Sequence, residues 1–361
     1  MKLTDVIAEL VEERGLNRDV LSSVVCEGML AAYERKYPDL KFKVQEDPAT
    51  GELAVLVQKT IVTSVEDDYN QISLKKARNI DKNLSLGDSL WQPFEGKVGR
   101  IEVLKARQVI ASKIKNIESL AVYNEFKHKQ GQIVIGIVHK CERNGASVKL
   151  GDVLAFLPNA FSIPGDKCIA GYSVRALLKE VLPEPQGDYQ LILDRASPEF
   201  LQNLFELEIP EVFEKLVEVK KIVRSPGYKA KVAVLSNDRN IDPVGTCVGI
   251  GGSRIKPILK ELASEKIDVF PWSDSLETLI KNALKPAVIE RVELSPDNKS
   301  ARVYLDEDQR SFAIGKGGQN IALASQLTGV NIQLVREAGV QKNAESLNEE
   351  ELKEEEYEEE L

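Results

Sequence analysis

Two histidines and four cysteines are all that this chain of 361 residues offers as soft or pH-tuned groups. Cys26, Cys141, Cys168 and Cys247 show no Cys-x-x-Cys spacing, and His128 and His139 complete no metal-binding pattern. Buried or idle thiols are therefore expected, rather than a disulfide framework or a zinc site. So few histidines leave no evident Ser/His or Cys/His catalytic pair. No glycine cluster fits Gly-x-x-x-x-Gly-Lys-Ser/Thr or the dinucleotide pattern. The triplet Asp306-Glu307-Asp308 reads as a solvated turn rather than a magnesium site. No apolar run approaches the ~18 residues of a membrane span. The start, Met1-Lys2-Leu3-Thr4-Asp5, lacks the apolar core of a signal peptide. Together these absences point to a cytoplasmic protein that is no enzyme and carries no metal or cofactor.

What is present is unevenly spread. The net charge is −9, yet from Glu345 to Leu361 alone there are ten Glu and one Lys. The remainder is close to neutral. From Lys215 to Lys260 there are ten Lys/Arg against three Asp/Glu. Such a patch attracts phosphate even on an acidic chain. The Glu-rich tail, residues 341–361, has too little apolar content to fold and is expected to be disordered.

The length suits two to four domains, each with its own core. Residues 1–130 read as an α/β domain. Leu3, Val6, Ile7, Leu10 and Val11 have helical spacing, and a second helix from Asp19 should stop before Pro38. Phe42 and Val44, then Leu53, Val55 and Val57, alternate like a hairpin around Asp47-Pro48-Ala49-Thr50-Gly51. A long helix follows Gly99. Residues 131–196 carry five short β-rich runs with turn signals between them, which suggests a small barrel of the OB type. Its available aromatics are Phe156, Phe161 and Tyr172, expected in the core or at the rim.

The rest of the folded chain is organised around Gly249-Ile250-Gly251-Gly252 with Ser253-Arg254, and Gly315-Lys316-Gly317-Gly318 with Gln319-Asn320. Each joins one short helix to the start of another. A Gly-x-x-Gly turn there lets backbone N–H groups approach a nucleic-acid backbone, and the helix start adds partial positive charge facing phosphate. The surroundings repeat as well. Ser225-Pro226 matches Ser295-Pro296, Ala230–Val234 matches Ala301–Leu305, and Ile255 matches Ile321. The order helix, two strands, helix, glycine loop, helix, strand is that of the prokaryotic (type II) KH module, which grips about four nucleotides of single strand. Two KH units are thus expected, 197–274 and 275–340. Candidate RNA contacts are Gly249 to Arg254, Lys256, Gly315 to Asn320, and the basic strand residues Lys220, Lys221, Arg224, Lys229 and Lys231.

A barrel followed directly by paired KH units resembles the NusA family of bacterial transcription elongation, termination and antitermination factors. The most specific runs are Ser197-Pro198-Glu199-Phe200-Leu201, Leu204 to Val212, Ile241 to Gly249, and Ala313 to Asn320 with Gln326-Leu327-Thr328-Gly329. The resemblance implies an amino-terminal domain that docks on RNA polymerase near the RNA exit channel. It implies an S1 barrel that forms one surface with KH1 and KH2 for nascent single-stranded RNA. It also implies work with other Nus antitermination factors, as a monomer, in pausing, intrinsic termination and antitermination. Where the family often has a basic residue in the first glycine loop, Ile250 and Gly251 stand here.

Two other readings fit the modules less well. KH and S1 modules accompany phosphorolytic ribonucleases, but there the order is KH then S1, behind large catalytic domains, and residues 1–130 are too short for one. A ribosome-associated KH protein does not account for the long amino-terminal domain.

Overall fold

Residues 18–46 and 53–336 are described by the computed structural model. The expected first helix, the turn Asp47 to Gly51 and the Glu-rich tail lie outside them. The chain divides into two units, one of residues up to Glu125 with Pro183–Pro185, the other of Phe126–Leu182 and the residues from Gln186 onward.

In the first unit, α1 (Arg18–Lys36) buries Leu21, Val24, Val25, Ala32 and Tyr33 and ends just ahead of Pro38. Gly28 lets a second helix come close: a Cβ there would stand 3.1 Å from the Ala106 carbonyl. Strand β1 (Phe42–Glu46) pairs antiparallel with β2 (Leu53–Val62), so the expected hairpin forms, with Phe42 opposite Val57. Next come β3 (Gln71–Ser73), α2 (Leu74–Arg78) and β4 (Ser89–Pro93), and β3 and β4 also pair with β2. Helix α3 (Arg100–Phe126) closes the unit. It forms with α1 an apolar groove of about 960 Å³, lined by Val25, Met29, Val103, Ala106, Ile110 and Ile114.

The second unit opens with β5 (Ile133–Glu142), β6 (Gly145–Leu150), β7 (Val153–Pro158), β8 (Ser173–Gln186) and β9 (Tyr189–Asp194). They close into a barrel in the order β5-β6-β7-β9-β8, the arrangement expected for an OB-type barrel. Val148, Ala155, Leu178, Leu191 and Leu193 fill it.

Helix α4 (Pro198–Glu208) starts where Pro198 pre-sets the first turn and the Ser197 hydroxyl accepts from the Phe200 N–H. It is followed by α5 (Pro210–Phe213), β10 (Val217–Ser225), β11 (Lys229–Ser236), α6 (Pro243–Val248), α7 (Ile255–Glu261) and β12 (Lys266–Pro271). The second copy runs α8 (Leu276–Ala283), β13 (Arg291–Leu294), β14 (Ser300–Leu305), α9 (Glu307–Ile314), α10 (Gln319–Thr328) and β15 (Asn331–Arg336). Both sheets are three-stranded with the same mixed pairing: the middle strand is antiparallel to the first and parallel to the last. Ala230 pairs with Ile267 where Ala301 pairs with Ile332, so the repeat seen in the sequence is a repeat in register.

The modules of the second unit share cores. Ile163 and Leu177 of the barrel pack with Phe200, Leu204, Val232 and Ile258 of the first KH unit. Val223, Ala233 and Phe270 of that unit pack with Ile280, Leu323 and Ala324 of the second. Arg224 donates to Glu265 through Nε at 2.7 Å and Nη2 at 2.9 Å, with both side chains fully buried. It also donates to the Arg195 and Ser197 carbonyls.

The cysteine expectation is corrected in part. Cys141 and Cys168 form a disulfide, because the end of β5 and the loop before β8 bring their Cα atoms 6.0 Å apart. A separation of 27 residues carries no spacing signal that would have revealed it. Cys26 and Cys247 are free. Burial, helped by the nearby Glu211 charge, pushes the Cys247 thiol up to about 12. That thiol stays protonated and should resist alkylation at pH 8 until the chain is unfolded, a protection that mass analysis of labelled peptides checks.

Replacing Arg224 alone leaves Glu265 buried without its counter-charge. Arg224→Met is expected to cost about 3–5 kcal/mol, read as a lower urea midpoint for the second unit. Arg224→Met combined with Glu265→Leu should recover part of that loss.

Candidate nucleic-acid interface

Helix α6 is capped by Asp242, whose carboxylate accepts from the Val244 and Gly245 N–H groups. It ends because Gly249 turns to φ 74°, ψ 165°. Gly251 then takes φ 59°, ψ 21°, and Gly252 a φ of 78°. In the second copy, Gly315 stands at φ 71°, ψ 176°, Gly317 at φ 61°, ψ 22°, and Gly318 at a φ of 75°. Two loops that share three glycines and differ at Ile250 against Lys316 thus draw the same backbone. All six glycines lie in the region that L side chains avoid.

Their steric settings differ. A Cβ on Gly249 would stand 2.7 Å from the Ser253 hydroxyl and 3.0 Å from the Arg254 nitrogen, and one on Gly315 would stand 2.7 Å from the Asn320 Cβ. These two glycines are needed for the turn to close. A Cβ on Gly251 or Gly317 would meet nothing within 4 Å. The middle of each loop faces open space, as close approach of a strand requires.

The tips are chemically unlike. Ile250 is 98% exposed, whereas its counterpart Lys316 offers an exposed cation. Ser253 and Lys256 are exposed beside the first loop. Arg254 is turned back, donating to the Thr246 carbonyl at 3.0 Å and pairing with Glu211 at 2.9 Å, so it braces the loop from behind. Gln319 is half-buried at the start of α10.

Burial removes three of the candidate contacts from reach of RNA: Arg224, Lys231 and Asn320. Arg224 has spent its guanidinium inside, as described above. Lys231 is fully buried against Asp268 at 3.1 Å, and desolvation holds its pKa below the ordinary lysine value. Asn320 is 2% exposed, and its amide donates to the Leu284, Phe312 and Ala313 carbonyls. Lys229 is engaged as well, with Asp268 at 2.7 Å and the Asn320 Oδ1 at 3.2 Å. Of the basic strand residues, Lys220 and Lys221 remain exposed on β10, with Lys220 beside Glu218 at 2.7 Å.

Other residues enter that the sequence did not single out. Tyr228, in the β10–β11 turn, donates its hydroxyl to the Lys316 carbonyl at 3.2 Å. It places the first KH unit directly against the glycine loop of the second. A cavity of about 410 Å³ opens at this seam, with Tyr228, Ser264 and Lys266 on one side and Gly315, Lys316 and Gln319 on the other. Only the fold brings these groups together; no local pattern marks them. On the barrel, Tyr172 is 65% exposed and Lys179 sits 3.6 Å over the Phe161 ring. Phe156 stacks on Tyr189 at 4.8 Å, and the Tyr189 hydroxyl donates to Glu142, which raises its pKa.

Comparison with known proteins gives this geometry its family. Residues 195–272 match the NusA-like first KH domain, 276–342 the NusA-like second KH domain, and 2–119 the NusA N-terminal domain. A Thermus thermophilus protein named transcription termination/antitermination protein NusA is 34% identical over 359 residues, which cover 96% of this chain and 92% of that one. The chain belongs to the NusA family. Its namesake from Bacillus subtilis is 31% identical over 343 residues, covering 94% and 92% of the two chains. The one from Rickettsia conorii is 35% identical over 344 residues, covering 93% and 68%. The two NusA-like KH matches each contain one of the glycine loops described above.

The steric contrast within each loop is measurable. Gly249→Ala is expected to cost about 3 kcal/mol, from a strained φ and a crowded Cβ. Gly251→Ala should cost about 1 kcal/mol from φ alone. Thermal unfolding of the two variants checks the difference.

Proposed function

We propose that this NusA-family chain binds nascent single-stranded RNA along its barrel and both KH units, and docks on RNA polymerase through its first unit. It modulates pausing, intrinsic termination and antitermination and makes or breaks no bonds itself. The working division is 1–130 for polymerase, 131–196 for the S1 barrel, 197–274 and 275–340 for KH1 and KH2, and 341–361 for the acidic tail. The chain acts in the cytoplasm as a monomer, together with other Nus factors and without a cofactor.

One observation carries the RNA reading: two glycine loops with different tips share one backbone conformation, and both keep their middle residue in open space. A strand held at the first loop can run over Lys256 and reach the second through the seam cavity, where Tyr228, Lys266 and Lys316 meet. Tyrosine supports a base face, and the lysines answer phosphate. The apolar groove between α1 and α3 supports a protein-binding role for the first unit.

Gly251→Asp with Gly317→Asp puts a negative charge at both open positions, in a conformation that Asp tolerates. The folded double variant is expected to lose most of its RNA affinity in a filter-binding or anisotropy assay. Unchanged affinity would reject the two-loop grip. The tips make a finer test. Ile250→Lys should steepen the dependence of log affinity on log salt by about 0.7, and Lys316→Gln should flatten it by about 0.7, the value for one phosphate of a single strand. Retention of RNA polymerase by residues 1–130 alone checks the docking assignment.

A further inference from the structure

Cys141 and Cys168 are both exposed, and their disulfide ties the end of β5 to the loop between β7 and β8. That loop also packs on the first KH unit. Ile163 is 2% exposed and belongs to that unit's core. The Pro164 carbonyl lies so near Gly227 that a Cβ there would stand 2.7 Å from it. Asp166 accepts from Arg195 Nε at 2.9 Å, and Arg195 reaches Glu261, the last residue of α7, at 2.7 Å. At its far end the loop is fixed again, by the Gly171 N–H donating to the Val138 carbonyl at 2.8 Å. Between these anchors, Lys167, Cys168, Ile169 and Ala170 are exposed, and the disulfide is their covalent tie to the barrel wall. Helix α7 begins just after the first glycine loop. The tie and that loop therefore sit at two ends of one line of contacts running through Asp166, Arg195 and Glu261.

We propose that Cys141–Cys168 is a reversible thiol–disulfide exchange site whose oxidised form holds loop 163–172, and with it the joint between barrel and first KH unit, in place. An exposed disulfide is open to a thiolate. The thiolate of a dithiol attacks one sulfur, forms a mixed disulfide and releases the other cysteine as a thiolate, which takes a proton from water. The second thiol of the dithiol then displaces the remaining cysteine. The protein gains two electrons and two protons, and the dithiol leaves as a disulfide. Glutathione disulfide reverses these steps and leaves as two thiols. A chain working beside RNA polymerase meets a reducing compartment, where the protein disulfides that do occur are mostly transient or sensing. That last point rests on the function proposed above; the exchange chemistry does not.

The test uses the full chain, oxidised or reduced with dithiothreitol, and the Cys141→Ser/Cys168→Ser variant. Alkylation should find two more thiols in the reduced protein than in the oxidised one. Hydrogen exchange across residues 163–172 should speed up roughly tenfold on reduction, because the cross-link no longer restrains opening. The double variant should exchange at the fast rate with or without dithiothreitol. Glutathione disulfide should restore slow exchange to the wild type alone. Equal exchange in the two states of the wild type, or failure of glutathione disulfide to re-form the bond, would overturn the proposal. Neither readout involves RNA, so loss of the RNA-binding reading and loss of this one are told apart.

Discussion

One guanidinium and one carboxylate, both out of reach of water, fix the joint between the barrel and the first KH unit. Arg224 grips both oxygens of Glu265, and its remaining donor capacity goes to the carbonyls of Arg195 and Ser197 in the connection leaving the barrel. Glu265 also accepts from the Gly227 N–H in the β10–β11 turn. Three chain segments therefore converge on one ion pair: the connection, the turn, and the stretch after α7. A buried pair of this kind adds little net stability over well-packed apolar residues, but losing one member is severe. Tyr228 and Ser264, which border the seam cavity, are neighbours of this pair in the chain.

Strand β11 explains why the two KH units, equal in topology, are unequal in chemistry. Ala230, Val232 and Val234 face the core shared with the barrel, while Ala233 faces the core shared with the second KH unit. The strand is buried on both sides. Lys231 is trapped on the second face and kept there by Asp268. In the second unit, β14 buries Ala301, Val303 and Leu305 and leaves Arg302 exposed, so its sheet has one covered face. The same fold thus uses its first copy as a central layer and its second as an outer one.

Much of this was legible in the sequence. The glycine loops, the duplicated strand motifs and the barrel strands are local patterns, and the observed elements follow them closely. What could not be read was which charges face water. Arg224 and Lys231 look like surface cations in a basic stretch. Their partners lie 41 and 37 residues away, beyond the window in which the positive charge was counted. Asn320 sits beside a solvent-facing loop yet points inward, because the carbonyls of Leu284, Phe312 and Ala313 need a donor there. Tyr228 carries no local signal for the converse reason: its significance comes from a loop 88 residues further on. The disulfide was hidden likewise, since only barrel closure aligns its two halves.

The double-faced strand also bears on how the chain is made. Synthesis runs from barrel to first KH unit to second, and early modules fold while later ones are still being added. When the first KH unit has closed on the barrel, Val223, Ala233 and Phe270 have no cover until α8 and α10 leave the ribosome. For that interval the nascent protein carries an apolar sheet face, with Lys229, Lys231 and Asp268 as charged residues on the same side. Those charges keep the uncovered face wetted and discourage it from pairing with a neighbouring chain.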